Sequence, residues 1–176
     1  MNKSEIFEKE LNYIKNNDIK NEIEEILNHL PCYFFKIPAS SSGKYHPQYA
    51  LGEGGLVRHT KAAVGIAVEL FNNHTVQNFT DFEKDCIIGA LILHDGLKGK
   101  DYTEFKHPLK MKTFCETFLK PSHKIIANAI ASHMGEWSTS KYEEGHLPKP
   151  QTELEKFVHL CDYLASRKCL EFNFEV

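Results

Sequence analysis

The sequence predicts an all-α fold, a single compact helical bundle of about seven helices, and three observations carry that expectation. Apolar residues recur at spacings of three and four, and no segment shows convincing strand-like alternation. Two segments carry capping-box spacing, Thr80 with Glu83 and Thr152 with Glu155. The run from Cys86 to Leu93 is apolar on every side, as a central helix must be. A chain of 176 residues is long enough to enclose one hydrophobic core.

Taken in order, Ser4–Asn16 and Ile19–Leu30 read as amphipathic helices parted by Asn17-Asp18. They form an N-terminal region, residues 1–30, expected to pack on the core. Residues 31–55 then read as irregular, with Pro38, Ser40-Ser41-Ser42-Gly43, Pro47 and Gly54-Gly55. A loop of that length inside a compact domain is usually a lid, a binding loop or a linker, and a substrate-side loop is expected here. The core, residues 56–176, opens with a helix from Leu56 to Phe71. The helix capped at Thr80 continues to Asp95, and His107-Pro108 opens another that runs to Leu119, with proline tolerated in its first turn. Pro121-Ser122 begins a helix ending near His133, where Gly135 supplies a stop. A second irregular stretch, Glu136 to Pro150, leads to the last helix, Thr152 to Lys168.

Composition narrows the function classes. The formal net charge of -3 gives no reason to expect a basic nucleic-acid surface, and no basic stripe is evident, so long nucleic acid is a poor candidate partner. The five cysteines are odd in number and include no Cys-x-x-Cys pair, which fits reduced thiols and a cytoplasmic setting. The first residues are charged, without a signal-peptide core, and no apolar run is long enough to span a bilayer.

The informative feature is the placement of polar residues on apolar stripes. His59 shares a helix face with Ala63, Ile66 and Leu70, and His94 follows Ile87 and Leu91 with Asp95 beside it. His133 falls with Ile126, Ala129 and Ile130, and Asp162 with Leu154, Val158, Cys161 and Ala165. A carboxylate buried without a partner costs several kcal/mol unless it is protonated, ion-paired or bound to a metal. Any one of these residues could be an ordinary hydrogen-bonded core residue, and Asp162 alone could pair with Arg167 or Lys168. Four helices each pointing a His or Asp inward instead suit a divalent transition metal.

The order His59, His94-Asp95, Asp162 resembles the HD-domain superfamily of metal-dependent phosphohydrolases. Gly54-Gly55-Leu56-Val57-Arg58-His59-Thr60 is similar to its Gly-Gly-Leu-x-x-His-Thr opening, and Leu93-His94-Asp95-Gly96-Leu97-Lys98 to its His-Asp-x-x-Lys motif. Ala131-Ser132-His133-Met134 and Leu160-Cys161-Asp162-Tyr163 resemble its later helices. The resemblance implies a first metal on His59, His94, Asp95 and Asp162. In binuclear members a His in a His-Pro context and a His ending the next helix hold a second metal, bridged by the Asp. Here His107 and His133 fit those places, with Asp95 as the bridge and His123 as the competitor of His107. Where binuclear relatives often show a His-His pair, this chain has His133-Met134.

The cofactor expectation is therefore one or two divalent ions, from among Mn, Fe, Co, Ni and Mg, that activate water and neutralise phosphoryl charge. Asp95 and Lys98 are the candidate catalytic residues, Lys98 pairing with a phosphate oxygen unless it is simply a solvated lysine of the turn. Lys44 and His46, in the long loop, are candidate substrate contacts, with an ordinary polar loop as the alternative. Trp137 and Tyr142 could stack on a base, although core packing is the plainer role for Trp137. The expected activity is hydrolysis of a phosphomonoester or phosphodiester of a small substrate, with a nucleotide as the expected class. The rivals are a di-iron oxygenase and a non-catalytic sensor of nucleotide or metal.

Overall fold

In a computed structural model the described residues are 2–40, 43–100, 104–135 and 147–169. They form seven α-helices and no strand: α1 (Glu8–Leu11), α2 (Asn17–His29), α3 (Gly55–Phe71), α4 (Asp81–Leu93), α5 (His107–Glu116), α6 (Lys124–Ser132) and α7 (Glu153–Ala165). Trp137 and Tyr142 lie outside the described residues.

The helix that is apolar on every side is the middle of the bundle. Every residue of α4 from Asp85 to Leu93 is buried, and α4 touches α1, α2, α3, α6 and α7. Gly89 is what allows α2 so close, because a Cβ there would stand 3.0 Å from Ile23 Cδ1. Both capping boxes are formed. The Thr80 hydroxyl accepts from Glu83 N and the Thr152 hydroxyl from Glu155 N, while each glutamate reaches back to its cap. One apolar core runs from Phe7 in the N-terminal segment to Ala165 at the end of α7.

The first helix is shorter than the periodicity predicts. A 3-10 turn, Lys3–Phe7, leads into α1, and the chain leaves the helix after Leu11. The cause lies far along the chain: the buried Asp85 carboxylate accepts from Lys15 N at 3.0 Å and from Asn16 N at 2.8 Å. Those amides are therefore unavailable to a continuing helix. Asn16 then caps α2 by accepting from Asp18 N and Ile19 N, so α2 begins two residues before Ile19. At the other end α7 stops at Ala165 rather than Lys168, with Ser166 as its C-cap.

The 31–55 segment is less irregular than expected. It contains 3-10 turns at Cys32–Phe35 and Gln48–Ala50, and it buries Phe34, Ile37, Ala39 and Ala50. Its junction with α3 explains the paired glycines. Gly54 takes φ 70°, and a Cβ on Gly55 would lie 2.3 Å from Ala50 O. Arg58 closes the junction, donating from Nε to Tyr49 O at 2.6 Å and from Nη2 to Leu51 O at 2.9 Å. This is what brings the loop beside His59.

Candidate metal centre

Five helices supply the centre. His59 sits within α3, His94 and His133 are the C-cap residues of α4 and α6, His107 is the first residue of α5, and Asp162 lies in α7. Asp95 follows His94 in the turn that leaves α4. All but Asp162 are buried, and the Asp162 side chain is 18% exposed. Helix ends suit the task, because a side chain there can project past the bundle interior to meet several neighbours.

The distances sort these residues around Asp95. Its Oδ1 lies 2.8 Å from His107 Nε2 and 3.6 Å from His133 Nε2. Its Oδ2 lies 3.5 Å from His94 Nε2 and accepts a hydrogen bond from Lys98 Nζ at 2.7 Å. Asp162 Oδ1 accepts from His59 Nε2 at 2.9 Å and stands 3.4 Å from His94 Nε2. Three groups thus have ligand atoms within 4.8 Å of one another: His59 with His94 and Asp95; His94 with His133 and Asp162; Asp95 with His107 and His133.

Three histidines are fixed in the same way. Nδ1 of His94, His107 and His133 donates to the main-chain oxygen three residues earlier, Leu91 at 2.7 Å, Glu104 at 2.6 Å and Ile130 at 2.7 Å. With Nδ1 committed to the main chain, each Nε2 faces the cluster and offers its lone pair there when the imidazole is neutral. His94 Nε2, His107 Nε2 and Asp95 Oδ1 are buried and have no hydrogen-bond partner. Buried acceptors converging on one another are expensive unless a cation lies among them. The donor set therefore fits divalent metal, and nitrogen and carboxylate together suit transition ions.

Electrostatics agree. Burial alone would push the two carboxylates up, yet Lys98 and His94 hold Asp95 well below the usual range, and His94 and His59 do the same for Asp162. Burial works to depress His94, but the Asp95 and Asp162 charges outweigh it and raise the imidazolium to about 9. His133 is lowered, chiefly by burial. Without a metal, a proton on His94 and the Lys98 ammonium together offset the two carboxylates.

The remaining sequence candidates are distributed unevenly. His46 stands over the centre, its ring 5.6 Å from that of His59, and its buried Nδ1 has no hydrogen-bond partner. Burial, then the neighbouring His59 and Lys98, lower it to about 4. Lys98 is 28% exposed and covers the outer side of Asp95. Lys44 instead lies along the Tyr45 ring, its Nζ 5.0 Å from the centroid. His123 is remote: its Nδ1 donates to Glu22 Oε2 at 2.7 Å, tying α2 to the start of α6. Asp162 does not pair with Arg167, whose Nε and Nη2 both donate to Ser166 Oγ. The sequence reading missed His159, which donates from Nδ1 to His133 O at 2.6 Å and so fixes the end of α6 from α7. Its place four residues before Tyr163, on the α7 face next to Asp162, gave no distinguishing signal.

A family model described as HD domain matches residues 56–167, the span that carries all six of these ligand candidates. No curated protein and no solved structure gives a match. No helix among the described residues is long and apolar enough to cross a membrane.

Proposed function

The chain belongs to the HD-domain family, most of whose members are metal-dependent phosphohydrolases, and from that premise we propose that it hydrolyses a phosphomonoester or phosphodiester of a small nucleotide. One observation carries the reading: Asp95 turns its two oxygens toward different histidines, Oδ1 to His107 and His133 and Oδ2 to His94. That is the arrangement a carboxylate shared by two adjacent ions requires. In this reading His59, His94, Asp95 and Asp162 would hold one ion, and Asp95, His107 and His133 would hold the other.

Divalent ions bound here would lower the pKa of a water and neutralise charge on phosphoryl oxygens. The protein's own groups define the rest. Lys98 Nζ, anchored on Asp95 Oδ2 and reaching the surface, offers a charge-assisted hydrogen bond to a phosphate oxygen. His46 is neutral near pH 7, since its value is about 4, and presents an uncharged ring nitrogen above His59. The carbonyls behind His94, His107 and His133 keep each Nε2 aimed inward.

Direct attack by water is favoured over a covalent intermediate. Cys161, next to Asp162, has its thiol pushed up by burial and by that carboxylate, so it makes a poor nucleophile. The histidine-rich donor set favours Fe, Co or Ni over Mn and Mg.

The test is elemental analysis of the purified protein with a phosphate-release screen across nucleotides and those five metals. Release of phosphate or of a nucleoside monophosphate with at least one metal is expected. Two irons with oxygen-dependent turnover and no phosphate release would replace the hydrolase by an oxygenase. Tight nucleotide binding with no product under any metal would make the protein a sensor.

A further inference from the structure

Tyr45 is 55% exposed, although it immediately precedes His46, whose ring packs 5.6 Å from that of His59. Its ring contributes little to the core, yet two cations attend it. Lys44 Nζ lies 5.0 Å from its centroid and the Arg167 guanidinium carbon 5.7 Å. The same guanidinium lies 4.5 Å from the ring of Tyr163, the residue after Asp162. Lys44, Tyr45, Arg167 and Tyr163 thus form a file of alternating cations and flat rings. It begins one residue from the centre on each of two elements, the 43–50 loop and α7.

The file is held in place rather than merely adjacent. Tyr49 Oη donates to Ala165 O at 2.8 Å, which fastens the loop to the end of α7. Arg58 fastens the other side of the loop through Tyr49 O and Leu51 O. Arg167 is steadied by donating to Ser166 Oγ from Nε at 3.1 Å and from Nη2 at 2.8 Å. A flat, solvent-facing aromatic surface that is already ordered binds a planar ring without the cost of organising it. Flanking cations add attraction for ring nitrogens and exocyclic oxygens, and stacking on tyrosine tolerates any base.

We propose that Tyr45, with Lys44 and the Arg167–Tyr163 pair beside it, is the subsite for the nucleobase of the substrate, while the phosphate lies at Asp95 and Lys98. This assignment rests on the reading that a small phosphate ester binds at the His–Asp centre. It gives the chain a preference for nucleotides over sugar phosphates and little discrimination among bases.

The test compares calorimetric binding of nucleoside phosphonates with that of the matching base-free ribose phosphonate, on the metal-loaded chain. Their carbon–phosphorus bonds resist hydrolysis, so binding is read without turnover. The nucleoside compounds should bind about tenfold tighter than the ribose compound. Tyr45→Ala should abolish that difference while leaving the ribose compound unchanged, and Tyr45→Phe should restore it. Arg167→Ala should narrow it. Equal wild-type affinity for both compounds, or discrimination that survives Tyr45→Ala, would overturn the assignment. Because Tyr45 is exposed, Tyr45→Ala leaves the core intact, and an unchanged unfolding transition verifies this. Phosphate release is scored separately: its absence counts against the hydrolase reading and not against the base subsite.

Discussion

His107 Nε2 and Asp95 Oδ1 lie 2.8 Å apart in the protein interior, and neither has a hydrogen-bond partner. His107 directs Nδ1 to Glu104 O, so when its imidazole is neutral the two atoms meet as acceptors. Acceptors at that range repel one another unless they share a cation. Asp95→Ala should therefore purify without metal and without phosphohydrolase activity. His107→Ala should lose the ion on its own side and keep the one beside His59. Elemental analysis of the two variants checks this, and full metal content in Asp95→Ala would refute Asp95 as the bridge.

The metal-free protein should be most stable near pH 6.5. His46 and His133 are both lowered from 6.5, His46 to about 4, so the stability they contribute is present above 6.5 and lost as pH falls through the folded values. Asp95 and Asp162, held below 3.8, add a further loss at stronger acid. His94 has the opposite sign. Raised from 6.5 to about 9, its contribution is present below 6.5 and lost as pH rises through 9. Metal binding requires that same imidazole deprotonated. The gap in melting temperature between metal-loaded and chelator-treated protein should thus widen from pH 6.5 to 9. Thermal unfolding at a series of pH values measures it, and a constant gap would contradict the assignment of His94.

What the sequence disclosed depends on how far apart the partners lie along the chain. His59, His94, His133 and Asp162 stand out because a polar residue on an apolar helical stripe breaks a local period, visible within one helix. His107 and His46 belong to no such stripe. His107 was legible only through its His-Pro context, and His46 only as an imidazole in a polar loop. The stack of Tyr45 on Arg167 and the tie from His159 to His133 join distant segments, and neither leaves a trace in local spacing. Helix boundaries failed for the same reason. A periodic pattern extends the first helix to Asn16, whereas the carboxylate that ends it comes from α4, 70 residues from Lys15.

Lys98 should separate metal binding from turnover. It contacts Asp95 Oδ2 but is no ligand itself, so Lys98→Ala should keep its metal and lower kcat/KM about 10- to 100-fold through loss of a phosphate contact. Arginine at the position should recover part of the rate. Steady-state kinetics with metal analysis distinguishes this from loss of metal, which would instead give Lys98 a structural part in holding Asp95.

Asp85 should matter for stability and not for chemistry. Its two oxygens satisfy Lys15 N and Asn16 N at the junction between α1 and α2, within the packed surface of α4. Asp85→Ala leaves both amides unmet and should cost about 2–4 kcal/mol, since hydrogen bonds to a charged acceptor are among the stronger ones. Urea unfolding reads the change. Metal content should stay at the wild-type level, because Asp85 lies nine residues before His94, in the N-terminal half of α4. A loss of metal would mean that the N-terminal helices help to set the geometry of the centre.

Thiol reactivity gives an independent view of the packed core around the site. Cys32 and Cys169 are exposed, while Cys86, Cys115 and Cys161 are buried. Burial pushes Cys86 up to about 12, with Asp85 and Glu83 adding to it, and raises Cys115 and Cys161 as well. A thiol reagent acts on the thiolate, so at pH 8 the exposed pair should label quickly and the buried three only after denaturation. Cys161 is the informative one, because its neighbour Asp162 is a candidate ligand. If chelation leaves Cys161 protected, the bundle keeps its packing without metal, and the carboxylate–histidine contacts suffice to hold α7 in place. Labelling of Cys161 alone on chelation would show that α7 is held chiefly through the metal.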